Sequence, residues 1–111
     1  MLEIRRYCQA NGFEPLTNWL KRLSDRQAKA RVLARIDRLE AGNFGDCKFL
    51  REGVFELRID WGPGYRVYFG RGGTTVVILL CAGDKRRQAA DIERAVEFWN
   101  DYKLRSKSDE K

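Results

Sequence analysis

Three cations stand where a chain can build a phosphate site. Arg58 lies in "VFELRIDW", Arg66 in "YRVYF", and Lys85 follows the apolar run "VVILLCAGD". Guanidinium forks grip phosphate bidentately, and a junction where a buried strand hands over to a helix points backbone N–H groups at a bound anion. Arg86 and Arg87 extend Lys85 into a run of three, and Arg71 sits in "GRGG". That segment joins two strands with no helix after it, so it reads as a turn rather than a phosphate loop, although Arg71 can still reach a backbone phosphate. The plainer reading of the same residues is a solvated face with a cross-strand Asp60–Arg66 ion pair, worth ~0.2–1 kcal/mol. Two basic groups converging on one surface favour the phosphate.

The chain has 111 residues, 43% of them hydrophobic and 12% aromatic, which suits one domain with a real core. Residues 1–104 read as that domain and 105–111 as a polar C-terminal tail. The formal charge is +6, with fifteen Arg against seven Lys, a balance that leans toward nucleic acid without establishing it. Cys8, Cys47 and Cys81 are odd in number and lack ligand spacing, and there is no His, so a Cys/His metal site is excluded. No metal and no cofactor is expected. No stretch has the length and apolarity of a signal peptide or a membrane span, which points to a cytoplasmic protein without a membrane partner.

The elements that must position the cations follow from periodicity. "LEIRRYC" alternates as a short strand, and Phe13, Leu16, Trp19, Leu20 and Leu23 recur at helical spacing from Phe13 to Leu23. Ser24 with Gln27 forms a capping box for a second helix through Ala28, Val32, Ile36 and Leu39, ending at Gly42. Three strands follow, Val54 to Trp61, Tyr65 to Gly70 and Thr75 to Ala82, and then a helix capped by Asp84 with Ala89, Ile92, Val96 and Trp99 on its stripe. The order is β-α-α-β-β-β-α, an α+β domain with an antiparallel sheet and its helices on one face. A three-residue loop, Gly62 to Gly64, would pair Trp61 with Tyr65 and keep both hairpin faces clean. It sets Asp60 opposite Arg66 and Arg58 opposite Tyr68. Basic residues on the second helix (Arg26, Lys29, Arg31, Arg35, Arg38) read first as its solvated face, with contact to RNA as the alternative.

"GVFELRIDWGPGYRVYF" followed by "VVILLCAGDKRRQAADIERA" resembles the RelE/ParE superfamily of bacterial toxin–antitoxin toxins, closest to HigB-like, phage-type addiction-module killer proteins. "FGDCKFLREG" is similar to that family's lead-in to the hairpin. The resemblance implies a RelE-like β-α-α-β-β-β-α fold. It also implies a toxin that cuts messenger RNA on the ribosome, a metal-independent endoribonuclease (mRNA interferase), held inactive by a cognate helix-turn-helix antitoxin.

Carried onto this chain, the resemblance matches Arg66, Lys85 and Arg58 to family basic positions, and more loosely Lys48. Metal-free RNA cleavage proceeds by attack of the 2′-hydroxyl on the adjacent phosphate and needs a base, an acid and charge stabilisation. Lys85, crowded by Arg86 and Arg87, is the first choice for acid–base work and Lys48 the second. Arg66 and Arg58 would clamp the phosphate, and Tyr68 would stack on a base. Arg51, Arg71, Arg86 and Arg87 complete an RNA-binding set. Ile92 stands where relatives carry a tyrosine, and other relatives use a histidine that this chain lacks. Two other readings stay open on sequence: a ParE-like inhibitor of DNA gyrase, and a non-catalytic member that binds antitoxin and DNA.

Overall fold

The computed structural model describes residues 1–109. Strand β1 (Glu3–Arg6) leads into helices α1 (Pro15–Arg22) and α2 (Arg26–Glu40). Strands β2 (Cys47–Arg51), β3 (Val54–Ile59), β4 (Tyr65–Gly72) and β5 (Val76–Asp84) follow, then a 3₁₀ turn (Lys85–Arg87) and α3 (Gln88–Asp109). Pro15 starts α1, where its missing N–H costs nothing. The cap of α2 is Asp25 rather than Ser24: its carboxylate accepts from the Gln27 and Ala28 N–H groups at 2.9 and 3.1 Å.

The α+β class holds, and three expectations about the architecture are corrected. The sheet is five-stranded in the order β1-β5-β4-β3-β2, and it is mixed because β1 pairs with β5 in parallel. An edge strand, β2, precedes the expected three and joins β3 through Glu52 and Gly53, both at positive φ. The helices cover both faces instead of one. Leu16, Leu20, Val32 and Leu39 of α1 and α2 pack with Leu57, Val67, Phe69 and Leu79. Ala95, Val96 and Trp99 of α3 pack with Val54, Tyr68, Ile78 and Leu80 on the other face. Ala89, expected on the buried stripe, is exposed.

Strand β5 lies between β1 and β4, and seven consecutive residues from Val77 to Gly83 are buried. A strand apolar on both sides needs cover on both sides, and α3 supplies the second layer. Gly70, expected to turn the chain, instead continues β4 beneath Trp99, whose ring lies 2.5 Å from where a Cβ would stand. Residues 105–109, expected as tail, extend α3. Arg105 donates to Asp101 Oδ2 at 3.0 Å and to the Cys8 carbonyl at 2.5 Å. Positions 110–111 of that tail lie outside the described residues.

The hairpin register differs from the expected one by two residues: Ile59 faces Tyr65, and Arg58 faces Arg66. A shift of two leaves every side chain on its face, so the division into apolar and polar sides survives while the partners change. The loop thus spans residues 60–64. Gly70→Ala should force the Trp99 ring to move and cost about 1–3 kcal/mol, seen as a lower urea midpoint. An unchanged midpoint would mean that α3 does not press on β4.

Candidate functional site

Cross-strand register builds the site in two rows on the α3 face. One row runs Arg58–Arg66–Gly83, with Asp46 at its outer end, where the Asp46 carbonyl accepts the Arg58 N–H at 2.9 Å. The next runs Lys48–Glu56–Tyr68–Cys81. The start of α3 lies over the second row, and Gln88 donates from Nε2 to Glu56 Oε2 at 2.7 Å. The first row stays open at the sheet's end. There Arg58, Arg66 and Lys85 line one cleft of about 460 Å³ with Asp46, Asp60 and the 62–64 turn. The Lys85 N–H donates to the Gly64 carbonyl at 2.7 Å, which ties that turn to the β5 exit and holds Lys85 at the rim.

Arg66 is the anchored cation of the cleft. Its side chain is only 13% exposed, and Nε lies 3.8 Å from Glu56 Oε2. That nitrogen is buried without a hydrogen bond, so its orientation rests on the charge of Glu56 and on packing. Glu56 itself is 1% exposed, a buried carboxylate that persists because Gln88 and Arg66 face it. Sequence alternation put Glu56 on the polar face but could not show that α3 would cover it. Arg58 is held differently: Nε and Nη2 both donate to Asp46 Oδ1, at 3.1 and 2.8 Å. From the opposite face Arg35 Nη1 donates to the Arg58 carbonyl at 2.6 Å, so this member of the α2 charge run braces the sheet. Arg31 covers the Trp61 ring at 3.8 Å.

The remaining expected site residues separate. Lys48 is exposed, opposite Glu56 in the neighbouring row, and lies outside the cleft lining. Tyr68, expected to stack on a base, is fully buried beneath α3. Burial first, then the charges of Glu56 and Asp91, push its hydroxyl well above the ordinary range. It supports the floor and cannot reach a ligand. Arg51 pairs with Glu52 at 2.8 Å on the edge strand. Arg71 lies five residues along β4 from Arg66, about 17 Å at strand rise, over the Phe44 ring, and donates to the Thr74 carbonyl. Arg86 is drawn to Asp84 at 3.0 Å, and this holds the Asp84 carboxyl below its usual range. The Arg87 guanidinium makes no ion pair or hydrogen bond among the described residues, although its charge reaches Asp91, and it lines a second cavity, on the α1 side of the junction.

Asp91 closes the floor between the two regions. It is 2% exposed, 3.5 Å from Arg94, with Oδ2 unpartnered. Its carboxylate occupies the space that a side chain at Gly83 would need. The neighbouring Cys81 thiol is pushed up to about 12, chiefly by burial, and is chemically quiet. Among the described residues no His/Cys/Asp/Glu group is placed to hold a metal, and no helix is long and apolar enough to cross a membrane.

Burial also raises the Asp91 carboxyl above the usual carboxylate range, against the pull of Arg94 and Arg87. The folded chain then holds that proton more tightly than the unfolded one, so Asp91 contributes stability in acid that is lost as pH rises through its raised pKa. Asp91→Asn should therefore melt above the parent at pH 8, with the gap narrowing toward pH 4. A gap that widened in acid would show that pairing with Arg94 outweighs burial.

Comparison with known proteins places this site in a family context. A protein-family model described as "Phage derived protein Gp49-like (DUF891)" matches residues 18–97. An uncharacterized protein of Haemophilus influenzae (strain ATCC 51907 / DSM 11121 / KW20 / Rd) is 54% identical over 78 residues, which covers 70% of this chain and 79% of the relative.

Proposed function

Because the chain belongs to the Gp49-like family of phage-derived proteins, whose members are related to toxin–antitoxin modules, we propose that it is the toxin of such a pair. In this reading it is a RelE/ParE-superfamily mRNA interferase that cuts messenger RNA on the ribosome, held inactive by a cognate helix-turn-helix antitoxin. The observation that carries the reading is the convergence of Arg58, Arg66 and Lys85 on one cleft that also holds carboxylates.

That set matches what phosphodiester cleavage by an internal nucleophile requires. The 2′-hydroxyl attacks the adjacent phosphorus, the 5′-oxygen departs, and a 2′,3′-cyclic phosphate remains. Asp60 or Asp46 can accept the 2′-hydroxyl proton, and the Lys85 ammonium can deliver one to the leaving oxygen. Arg66, pre-oriented by a buried carboxylate, stabilises the phosphorane without reorganising, and Arg58 adds a second guanidinium. The cleft is open rather than enclosed, which suits a polymer threaded across the sheet's end. Codon positioning on the ribosome would supply the alignment that a shallow site lacks.

Removing one preorganised donor from such a site typically costs ~10²–10³ in rate. Arg66→Ala should therefore lose growth inhibition on induced expression without antitoxin, while remaining folded by circular dichroism. New transcript ends within translated regions, mapped by primer extension, should disappear with it. A folded but fully toxic Arg66→Ala protein would refute the site. Toxicity with intact transcripts would indicate gyrase or another protein target, and harmless expression of the parent would indicate a non-catalytic binding member.

A further inference from the structure

We infer that the second cavity, across the β5 exit from the cleft, is a nucleotide subsite that takes the base and phosphate of a residue flanking the cleaved bond. The inference rests on the reading of the protein as an RNA-binding enzyme and names where the strand continues. The cavity measures about 360 Å³ and lies between α1 and the 83–94 segment, lined among others by Trp19, Asn18, Arg22, Arg87 and Arg94. That volume falls in the ~300–1,000 Å³ range of small-ligand sites.

Three features fit a nucleotide. Trp19 is half-buried and fixed by an edge contact with Tyr65, ring centres 5.8 Å apart, so it is a preset surface for a flat base. The Asn18 side-chain amide is unpaired among the described residues, and it carries both the donor and the acceptor that read a base edge. Arg22 and Arg87 are exposed, on different elements, and their guanidiniums make no ion pair or hydrogen bond among the described residues. By contrast Arg51, Arg58, Arg86, Arg94 and Arg105 each have a carboxylate. Two unpaired guanidiniums beside an aromatic ring are what a phosphate with its base requires.

Connection to the cleft supplies the direction. Lys85 lines the cleft and Arg87, two residues on in the same 3₁₀ turn, lines the cavity. A single strand crossing this turn places one phosphate beside Arg66 and Lys85 and the neighbouring nucleotide over Trp19. Two carboxylates share the lining with Ala82 and Gly83: Asp84, paired with Arg86, and Asp91, 2% exposed and 3.5 Å from Arg94, so each has a guanidinium beside it.

The test is titration of ¹⁵N-labelled protein with adenosine 5′-monophosphate, since an asparagine amide reads adenine bidentately. Ribose 5-phosphate serves as the base-free control. Saturable shifts of the Trp19 indole N–H and the Gly83 amide are expected. Affinity should be about tenfold or more weaker for ribose 5-phosphate, as loss of base stacking implies, and similarly weaker in Arg22→Ala. Because Arg22 is exposed on α1, that variant keeps the fold. Equal affinity for the two ligands, shifts confined to Arg58, Arg66 and Lys85, or the same resonances answering only to an acidic peptide would overturn the assignment. The titration reads no cleavage, so failure here leaves the cleft standing, and failure of RNA cleavage in cells leaves the cavity standing.

Discussion

Strand β5 is the constraint on which the rest of the molecule depends. Seven consecutive buried residues cannot be half-solvated, so a helical layer must close each side of the sheet. The α1–α2 hairpin takes one side and α3 the other. Because α3 follows β5 after a single 3₁₀ turn, the chain must reverse over the sheet's end at once. That reversal puts Lys85 at the rim of one cavity and Arg87 at the rim of another. The basic junction is therefore a consequence of covering the central strand.

Charge burial then decides which of the many cations is poised for work. Arg5, Arg51, Arg86 and Arg105 pair with nearby carboxylates on the surface, where each pair is worth little. Arg66 is different, since its partner Glu56 is sealed beneath α3 and anchored by Gln88. An isolated buried carboxylate is costly, which makes the Glu56–Gln88–Arg66 arrangement sensitive to the position of α3. The same contact that docks the helix thus orients the guanidinium. Stability and the candidate chemistry meet at one side chain.

How much of this could be read in the sequence follows from what is local. The alternation of Phe55, Leu57 and Ile59 and the apolar run of β5 are local signals, and they put the sheet faces and the central strand where they are. So is the helical spacing of Leu16, Leu20, Val32 and Leu39. The parallel β1–β5 pairing is long-range and leaves no local trace. Strand β2 was hidden because "CKFLR" is a short edge with an irregular register to β3. Covering of the polar face by α3 turned Tyr68 from an expected stacking surface into core, since its row faces Ala95 and Trp99 rather than water. Arg58, Arg66 and Lys85 were legible as candidates because strand parity survives a two-residue slip. Glu56, Asp46 and the Trp19 cavity depend on which elements meet, and only the tertiary structure reveals them.

The most direct measurement of the central claim uses purified protein and ribosomes programmed with a defined messenger, with one nucleotide at the mapped cut replaced by its 2′-deoxy form. If the basic cleft promotes attack by the 2′-hydroxyl, the unmodified message is cut to a fragment ending in a 2′,3′-cyclic phosphate, and the deoxy substitution abolishes that cut alone. Cleavage that persists through the deoxy position, or a message left intact on the ribosome, would contradict the account.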